Sequence, residues 1–290
     1  MEKINLTDLK DYRWMTNGQS IFSGDLLQLF FSLDNLFLKW AKEIEAKEFL
    51  FPTFIPTLEL KKLDYFHSFP HLVTFPVTLD QDEENLKQFS ESENYNIDGD
   101  IHLTKTAPIK SVLNPAACYH FYVQFQKNTL ERPLYLTTRA SCFRQEKQYI
   151  AMQRQWHFSM REIVCLGTAE EVKSFLSKFQ TQLDSFFKTI QLPIQFQNAT
   201  DPFFNPSRNP KYLLQKLDPV KTEMVYDGHL AIGSLNFHRN YFGEAFQIIR
   251  NGEDAFSGCV AFGLERWIYA LLNQFGSEES NWPKILRDKS

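Results

Sequence analysis

Apolar residues recur at helical spacing over residues 24–47, where Leu26, Leu29, Phe30, Leu33, Leu36, Phe37, Trp40 and Ile44 form one broad face. Ser23 stands where an N-cap belongs, so the spacing predicts a helix over that span. The following stretch, Phe49-Leu50-Phe51-Pro52-Thr53-Phe54-Ile55-Pro56, is extended because its two prolines exclude helix. Residues 80–100 are acidic and polar, contain the turn cluster Asn96-Ile97-Asp98-Gly99-Asp100, and read as a solvated surface insertion. Their ligand spacing does not match a calcium loop. Asn114 and Pro115 suit the N-cap and first turn of a helix running to about Gln126. Residues 135–146 and 154–166, rich in β-branched and aromatic side chains, read as paired strands. Thr168 with Glu171 makes a capping box for a helix to about Ile190, with Val172, Phe175, Leu176, Phe179, Leu183, Phe186 and Phe187 on its buried face. Residues 223–234 and 257–263 read as further strands, and a last helix over 264–275 is stopped by Gly276. A strand-rich middle with helices outside implies an α+β fold built around an antiparallel sheet.

Composition narrows the choice. With 290 residues, 43% hydrophobic content and 28 Phe, the chain can bury a large core as a single domain, residues 1–290, so disorder is not expected. No apolar run approaches the ~20 residues of a membrane span, and Met1-Glu2-Lys3-Ile4-Asn5 has neither signal-peptide nor transit-peptide build. A cytoplasmic protein with no membrane partner is expected. Cys118, Cys142, Cys165 and Cys259 are far apart with no Cys-x-x-Cys, and read as thiols or metal ligands rather than disulfides. The net charge of −4, with basic residues scattered, gives no support to tRNA binding, which relies on Lys and Arg against phosphates.

The candidate chemistry lies in three strings. Cys142-Phe143-Arg144-Gln145-Glu146 is followed by Arg154-Gln155-Trp156-His157-Phe158-Ser159-Met160-Arg161-Glu162-Ile163-Val164, and later by Gly258-Cys259-Val260-Ala261-Phe262-Gly263-Leu264-Glu265-Arg266. Joining a carboxylate to the α-phosphate of ATP brings two anions together, so fixed cations must meet the charge of the transition state. These strings resemble motifs 2 and 3 of the class II aminoacyl-tRNA synthetases, and the helix with its proline-bearing strand resembles motif 1, which builds their dimer interface. A homodimer is therefore expected. The resemblance implies that Arg144 forks onto the α-phosphate and the acid's carboxylate, a geometry lysine lacks. It implies that Arg154 meets the outer phosphates, Glu146 the adenine amino group, and Phe158 one face of the purine. Arg266 covers the opposite face or reaches the γ-phosphate, and Gly258 and Gly263 let backbone approach closely. Arg144 and Arg266 are thus the expected catalytic residues. Many seryl-type synthetases carry Glu-x-x-Ser before motif 3; here the string is Ala231-Ile232-Gly233-Ser234, and Glu223 on the same expected strand is the substitute candidate for holding Mg2+ with ATP.

Leu113-Asn114-Pro115-Ala116-Ala117-Cys118-Tyr119 resembles the Leu-x-Pro-Thr-Ala-Glu stretch of ordinary seryl-tRNA synthetases, with Cys in place of the Glu that contacts the amino acid. Three separated residues are not in themselves a metal motif. Cys118, Glu162 and Cys259, however, match the Cys/Glu/Cys zinc set of the atypical seryl-tRNA synthetases, whose zinc keeps an open position for the substrate amine. Cys142 and Cys165 match no ligand position and read as core.

The broadest resemblance, over about residues 69–283, is to the amino acid:[carrier protein] ligases, truncated homologues of those atypical synthetases. It rests also on Ala116-Ala117-Cys118-Tyr119, Gly233-Ser234-Leu235-Asn236-Phe237-His238 and Gly263-Leu264-Glu265-Arg266-Trp267. It implies adenylation of a small amino acid, glycine or alanine, and transfer to the phosphopantetheine thiol of a carrier protein. No tRNA-binding domain and no tRNA partner are expected, in keeping with the short loop between Glu146 and Arg154. His238 reads as a neutral scaffold histidine rather than a base. Arg208, Lys211 and Lys216 offer a possible contact for an acidic carrier protein. Two other readings stay open: acylation of tRNA or a small-molecule amine, and a non-catalytic class II-like protein that binds a partner.

Overall fold

The computed structural model describes residues 4–287. Its centre is a sheet of seven strands, β1 (Lys47–Glu48), β2 (Leu134–Phe143), β3 (His157–Gly167), β4 (Ile194–Ala199), β5 (Lys221–Tyr226), β6 (Leu230–Arg239) and β7 (Phe256–Gly263), in the order β1-β2-β3-β7-β6-β5-β4. All neighbours are antiparallel except β1, which runs parallel to β2 at the edge. The helices that matter here are α1 (Gly24–Glu43), α2 (Tyr119–Gln124), α3 (Ala169–Ile190), α4 (Pro210–Leu217) and α5 (Leu264–Phe275). This is the expected α+β architecture.

The pleat sorts side chains by parity. Ile163, Cys165, Val260, Phe262, Leu235 and Met224 turn to one face, where they pack against the apolar stripes of α1, α3 and α5. Phe37 of α1 stacks on Phe262 with ring centroids 4.0 Å apart, and Trp267 of α5 closes the cluster. The capping box at Thr168 and Glu171 starts α3 as the sequence suggests. Gly258 serves this packing rather than a ligand, since a Cβ there would stand 2.7 Å from Val172 of α3. The opposite face carries two cross-strand rows: Thr138, Glu162, Ala261, Ser234 and Glu223, and beside it Val164, Cys259, Asn236 and Lys221.

Four local expectations are corrected. Helix α1 ends at Glu43 rather than Lys47, because Glu45 turns left-handed (φ 58°) and Lys47–Glu48 join the sheet. Ser23 occupies the N-cap position without a side-chain bond; Asp11 accepts from the Asp25 N–H instead. Residues 114–118 are not helical: Asn114 donates its N–H to Thr53 and accepts from Phe143, so α2 starts only at Tyr119. Residues 223–234 are two strands, split at Asp227 and Gly228, whose consecutive positive φ values (50° and 69°) form a tight hairpin. The acidic stretch also contains a helix, Glu83–Glu91, capped by Asp82; it buries only Asn85, so no apolar period announced it.

An ion pair is buried on the helix-packed face. Arg161 of β3 forks onto Asp34 of α1 at 2.7 and 2.9 Å and reaches Glu48 of β1 at 2.9 Å. Arg139 adds a bond to Asp34 at 3.2 Å. Removing one partner of a buried pair strands the other charge, which costs ~3–5 kcal/mol. Asp34→Ala is therefore expected to lower the unfolding free energy by about that amount, read as a shift of the urea midpoint.

Candidate active site

On the sheet face opposite α1, α3 and α5, three acidic groups converge. Cys118 comes from the turn before α2, Glu162 from β3 and Cys259 from β7; their ligand atoms all lie within 4.8 Å of one another and all three residues are buried. Glu162 Oε2 has no hydrogen-bond partner in the protein. Burial raises the Glu162 carboxyl, opposed by the two adjacent thiols and by the charge of Arg144. The Cys118 thiol is raised well above its usual range by its bond with Cys259, by burial and by the Glu162 charge. At Cys259 the Cys118 bond works downward, but burial and Glu162 outweigh it. The Glu162 charge thus holds both thiols protonated, and burial raises all three groups, a cost that a divalent cation relieves. Two thiolates and a carboxylate, with one carboxylate oxygen unpartnered, fit zinc with three protein ligands and an open position.

The arginines lie on the same face. The β2–β3 ladder extends one step beyond β2, the Arg144 N–H donating to Trp156 at 2.9 Å. Arg144 Nε donates to the Pro115 carbonyl at 3.0 Å, which ties it to the loop bearing Cys118. Its guanidinium stands 5.1 Å from the ring centre of Phe158, so the cation over Phe158 is Arg144. Arg266, at the start of α5, donates to the carbonyls of Gln153 (2.6 Å) and Ala231 (2.8 Å). Burial, then Arg144, pull Arg266 down to about 10, with Arg154 adding to the effect and Glu223 and Glu146 opposing it. Arg154 pairs with Glu146 at 3.4 Å. Glu223 lies on β5 opposite Ser234 of β6, not on the same strand, and pairs with Lys221 at 3.3 Å. The structure thus brings Arg144, Glu146, Arg154, Phe158, Glu223 and Arg266 around one site, next to Cys118, Glu162 and Cys259.

Two neighbours, Lys221 and Asp201, carried no legible sequence signal. Lys221 bridges Glu223 to Asp201 (3.3 Å), and Tyr119 is raised well above its usual range by burial, with Tyr65, Cys118 and Asp201 nearby. His238 is neutral, pushed down to about 4 by burial, its Nδ1 placed 3.2 Å from the Tyr122 hydroxyl and 3.1 Å from Ser257 Oγ. Lys211 is already paired with Asp64 (3.1 Å) and lies 3.3 Å from the Tyr241 hydroxyl, so its charge is spent within the fold. On α4 the exposed large apolar residues are Leu213, Leu214 and Leu217.

Comparison with known proteins agrees with this geometry. The tRNA synthetase class II core domain (G, H, P, S and T) matches residues 108–275, more than half of the chain. Amino acid–[acyl-carrier-protein] ligase 1 of Bradyrhizobium diazoefficiens is 31% identical over 255 residues, covering 85% of this chain and 77% of that protein. The chain belongs to the amino acid–[acyl-carrier-protein] ligase family.

Ligase 2 of the same organism is 28% identical over 85% of the chain and 75% of its own length. The type-2 serine–tRNA ligase of Methanococcus aeolicus is 25% identical over 96% of the chain, but the match spans only 56% of that protein. Among solved structures, the M. kandleri SerRS in complex with A. aeolicus tRNASec has a TM-score of 0.80 and 20% identity, covering 98% of this chain and 58% of that one. A Giardia lamblia prolyl-tRNA synthetase has a TM-score of 0.66 and 16% identity, covering 89% of this chain and 49% of that one. These two share the class II fold. As a member of the ligase family, the protein is an enzyme. Among its described residues, no helix is long and apolar enough to cross a membrane.

Glu265, beside Arg266, accepts the Ser159 N–H at 2.8 and 3.0 Å, and burial pushes it from 4.5 up to about 7. The folded state therefore holds this proton more tightly than the unfolded chain. Its stabilising effect is full below about pH 4.5 and is lost as pH rises to about 7. In urea unfolding, the unmodified protein is expected to lose stability relative to Glu265→Gln between pH 4.5 and 8.

Proposed function

We propose that this ligase activates a small amino acid, glycine or alanine, with ATP and passes the acyl group to the phosphopantetheine thiol of a carrier protein. The observation that carries this reading is the union, on one sheet face, of Arg144, Arg154 and Arg266 with the Cys118–Glu162–Cys259 trio. Arginine can hold a carboxylate against a phosphate, and the trio suits a group that recognises a free amine. The names of the 31% and 28% identical relatives point to the same reaction.

In the first step a carboxylate oxygen attacks the α-phosphorus, the bond to the β-phosphate breaks, and pyrophosphate leaves. Arg144 bridges the two anions so that their repulsion falls as the bond forms. Arg154 and Arg266 take the charge accumulating on the leaving phosphates, Glu146 receives the adenine amino group and Phe158 supports the ring. Cys118, Glu162 and Cys259 would hold zinc, which would supply a Lewis acid able to recognise the substrate's free α-amine. Glu223 is the carboxylate available to Mg2+, with Lys221 sharing its charge. In the second step the thiol sulfur attacks the acyl carbon, its proton passes to solvent, and AMP departs with the electrons of the acyl–phosphate bond. Thiols need little beyond placement for this.

The protein acts in the cytoplasm as a homodimer. Phe31, Leu50, Phe54 and Leu58, exposed on and just after α1, support that interface. The net charge of −4 favours a carrier protein over tRNA as acceptor. The leucines of α4, with Lys216 beside them, are the surface offered to the carrier.

Amino-acid-dependent ATP–pyrophosphate exchange across the twenty amino acids tests this. Exchange confined to glycine or alanine, and abolished by a zinc chelator, is expected; no exchange by zinc-replete protein overturns the reading. Arg144→Ala is expected to lower the exchange rate by ~100–1000-fold, and Arg144→Lys to recover little of it, because a point charge cannot fork.

A further inference from the structure

The two cysteines of the trio have unequal surroundings. Cys259 on β7 faces Asn236 on β6, and Asn236 Nδ2 lies 3.2 Å from Cys259 Sγ. The same Nδ2 reaches Ser234 Oγ at 3.0 Å, which fixes the amide with its hydrogens toward the sulfur. Two residues along β6, His238 Nε2 lies 3.7 Å from the same Sγ. Its other nitrogen is surrounded by hydroxyls, those of Tyr122 (3.2 Å) and Ser257 (3.1 Å), which can donate to it. In the tautomer where Nδ1 accepts from one of these hydroxyls, Nε2 carries the hydrogen that faces sulfur. His238 is not among the three residues whose ligand atoms cluster within 4.8 Å.

Two thiolates and a carboxylate around a dication leave one net negative charge in a buried pocket. Such a charge is costly unless hydrogen-bond donors share it. We propose that Asn236 and His238 are positioning residues of the metal site, donating N–H bonds to the Cys259 thiolate. They aim its lone pair at the metal and disperse the excess charge. This rests on the zinc reading above. It separates the thiolates by role: Cys259 is the held, less basic ligand and Cys118 the stronger donor. Neither residue needs to touch substrate for the effect.

The test is metal retention and spectroscopy in the full-length protein. Zinc content is measured by elemental analysis, zinc release by transfer to a chelating dye, and ligand field by Co2+ substitution. Asn236→Ala and His238→Leu are expected to release zinc ~10–100-fold faster, with the thiolate-to-cobalt charge-transfer band moved to lower energy. His238→Gln, which keeps an N–H donor at the reach of Nε2, is expected to restore slow release. Asn236→Leu keeps the side-chain volume and replaces the alanine variant if that one does not fold. Release rates and bands unchanged in both donor-lacking variants overturn the proposal. A change of cobalt coordination number in His238→Leu also overturns it, making His238 a ligand instead. If the unmodified protein holds no stoichiometric metal, the zinc reading itself fails, a result distinct from either.

Discussion

The two-residue period of an antiparallel sheet is the constraint on which this molecule depends. Successive side chains on β3 and β7 point to opposite faces, so Ile163, Val260 and Phe262 enter the helix-covered core while Glu162, Cys259 and Ala261 look the other way. A slip of one residue would bury Glu162 among the aromatic rings and turn Phe262 toward the site. The stacked pair Phe37 and Phe262, together with the fork of Arg161 onto Asp34, locks that register. Arg161 is the one residue of β3 whose charge enters the helix-packed core, and it is tolerated there because Asp34 and Glu48 meet it.

Across the site face, charge is arranged in two unlike halves. One half is acidic and buried, with burial raising Cys118, Glu162 and Cys259 and the Glu162 charge raising both thiols further. The other half is cationic, and burial, with Arg144 and Arg154 adding to it, depresses the Arg266 guanidinium. Arg144 belongs to both, since its charge eases ionisation of Glu162 while it opposes that of Arg266. A cation in the acidic half and polyphosphate against the arginines relieve opposite strains. On the function proposed above, amino acid and nucleotide would lie side by side, with Arg144 between them.

Much of this was legible one-dimensionally where a local rule operates. The capping box at Thr168, the β2–β3 pair and the end of α5 at Gly276 all follow from residues within a few positions of one another. Local pattern and structure part where distant partners decide. Asn114 reads as a helix cap, yet Thr53 and Phe143 claim its backbone, so α2 waits until Tyr119. Glu45 lies within a helical pattern, but edge pairing of Lys47 with Leu136 takes the chain into the sheet. The Asp227-Gly228 turn is a local signal that divides residues 223–234 into two strands and sets Glu223 opposite Ser234. Lys211 looked available as a surface cation until Asp64, 147 positions away, took its charge.

The sequence by itself determined the α+β class, the family and the identity of the chemical groups, because apolar period, arginine spacing and motif order are written along the chain. Only the tertiary structure decided which of those groups share a pocket and which are already paired. The physical reason is that electrostatic and metal-ligand interactions act over a few ångströms of space. Cys118, Glu162 and Cys259 are strangers along the chain and neighbours in the fold, and nothing local to any of them states that Asn236 and His238 will stand against the sulfur of Cys259.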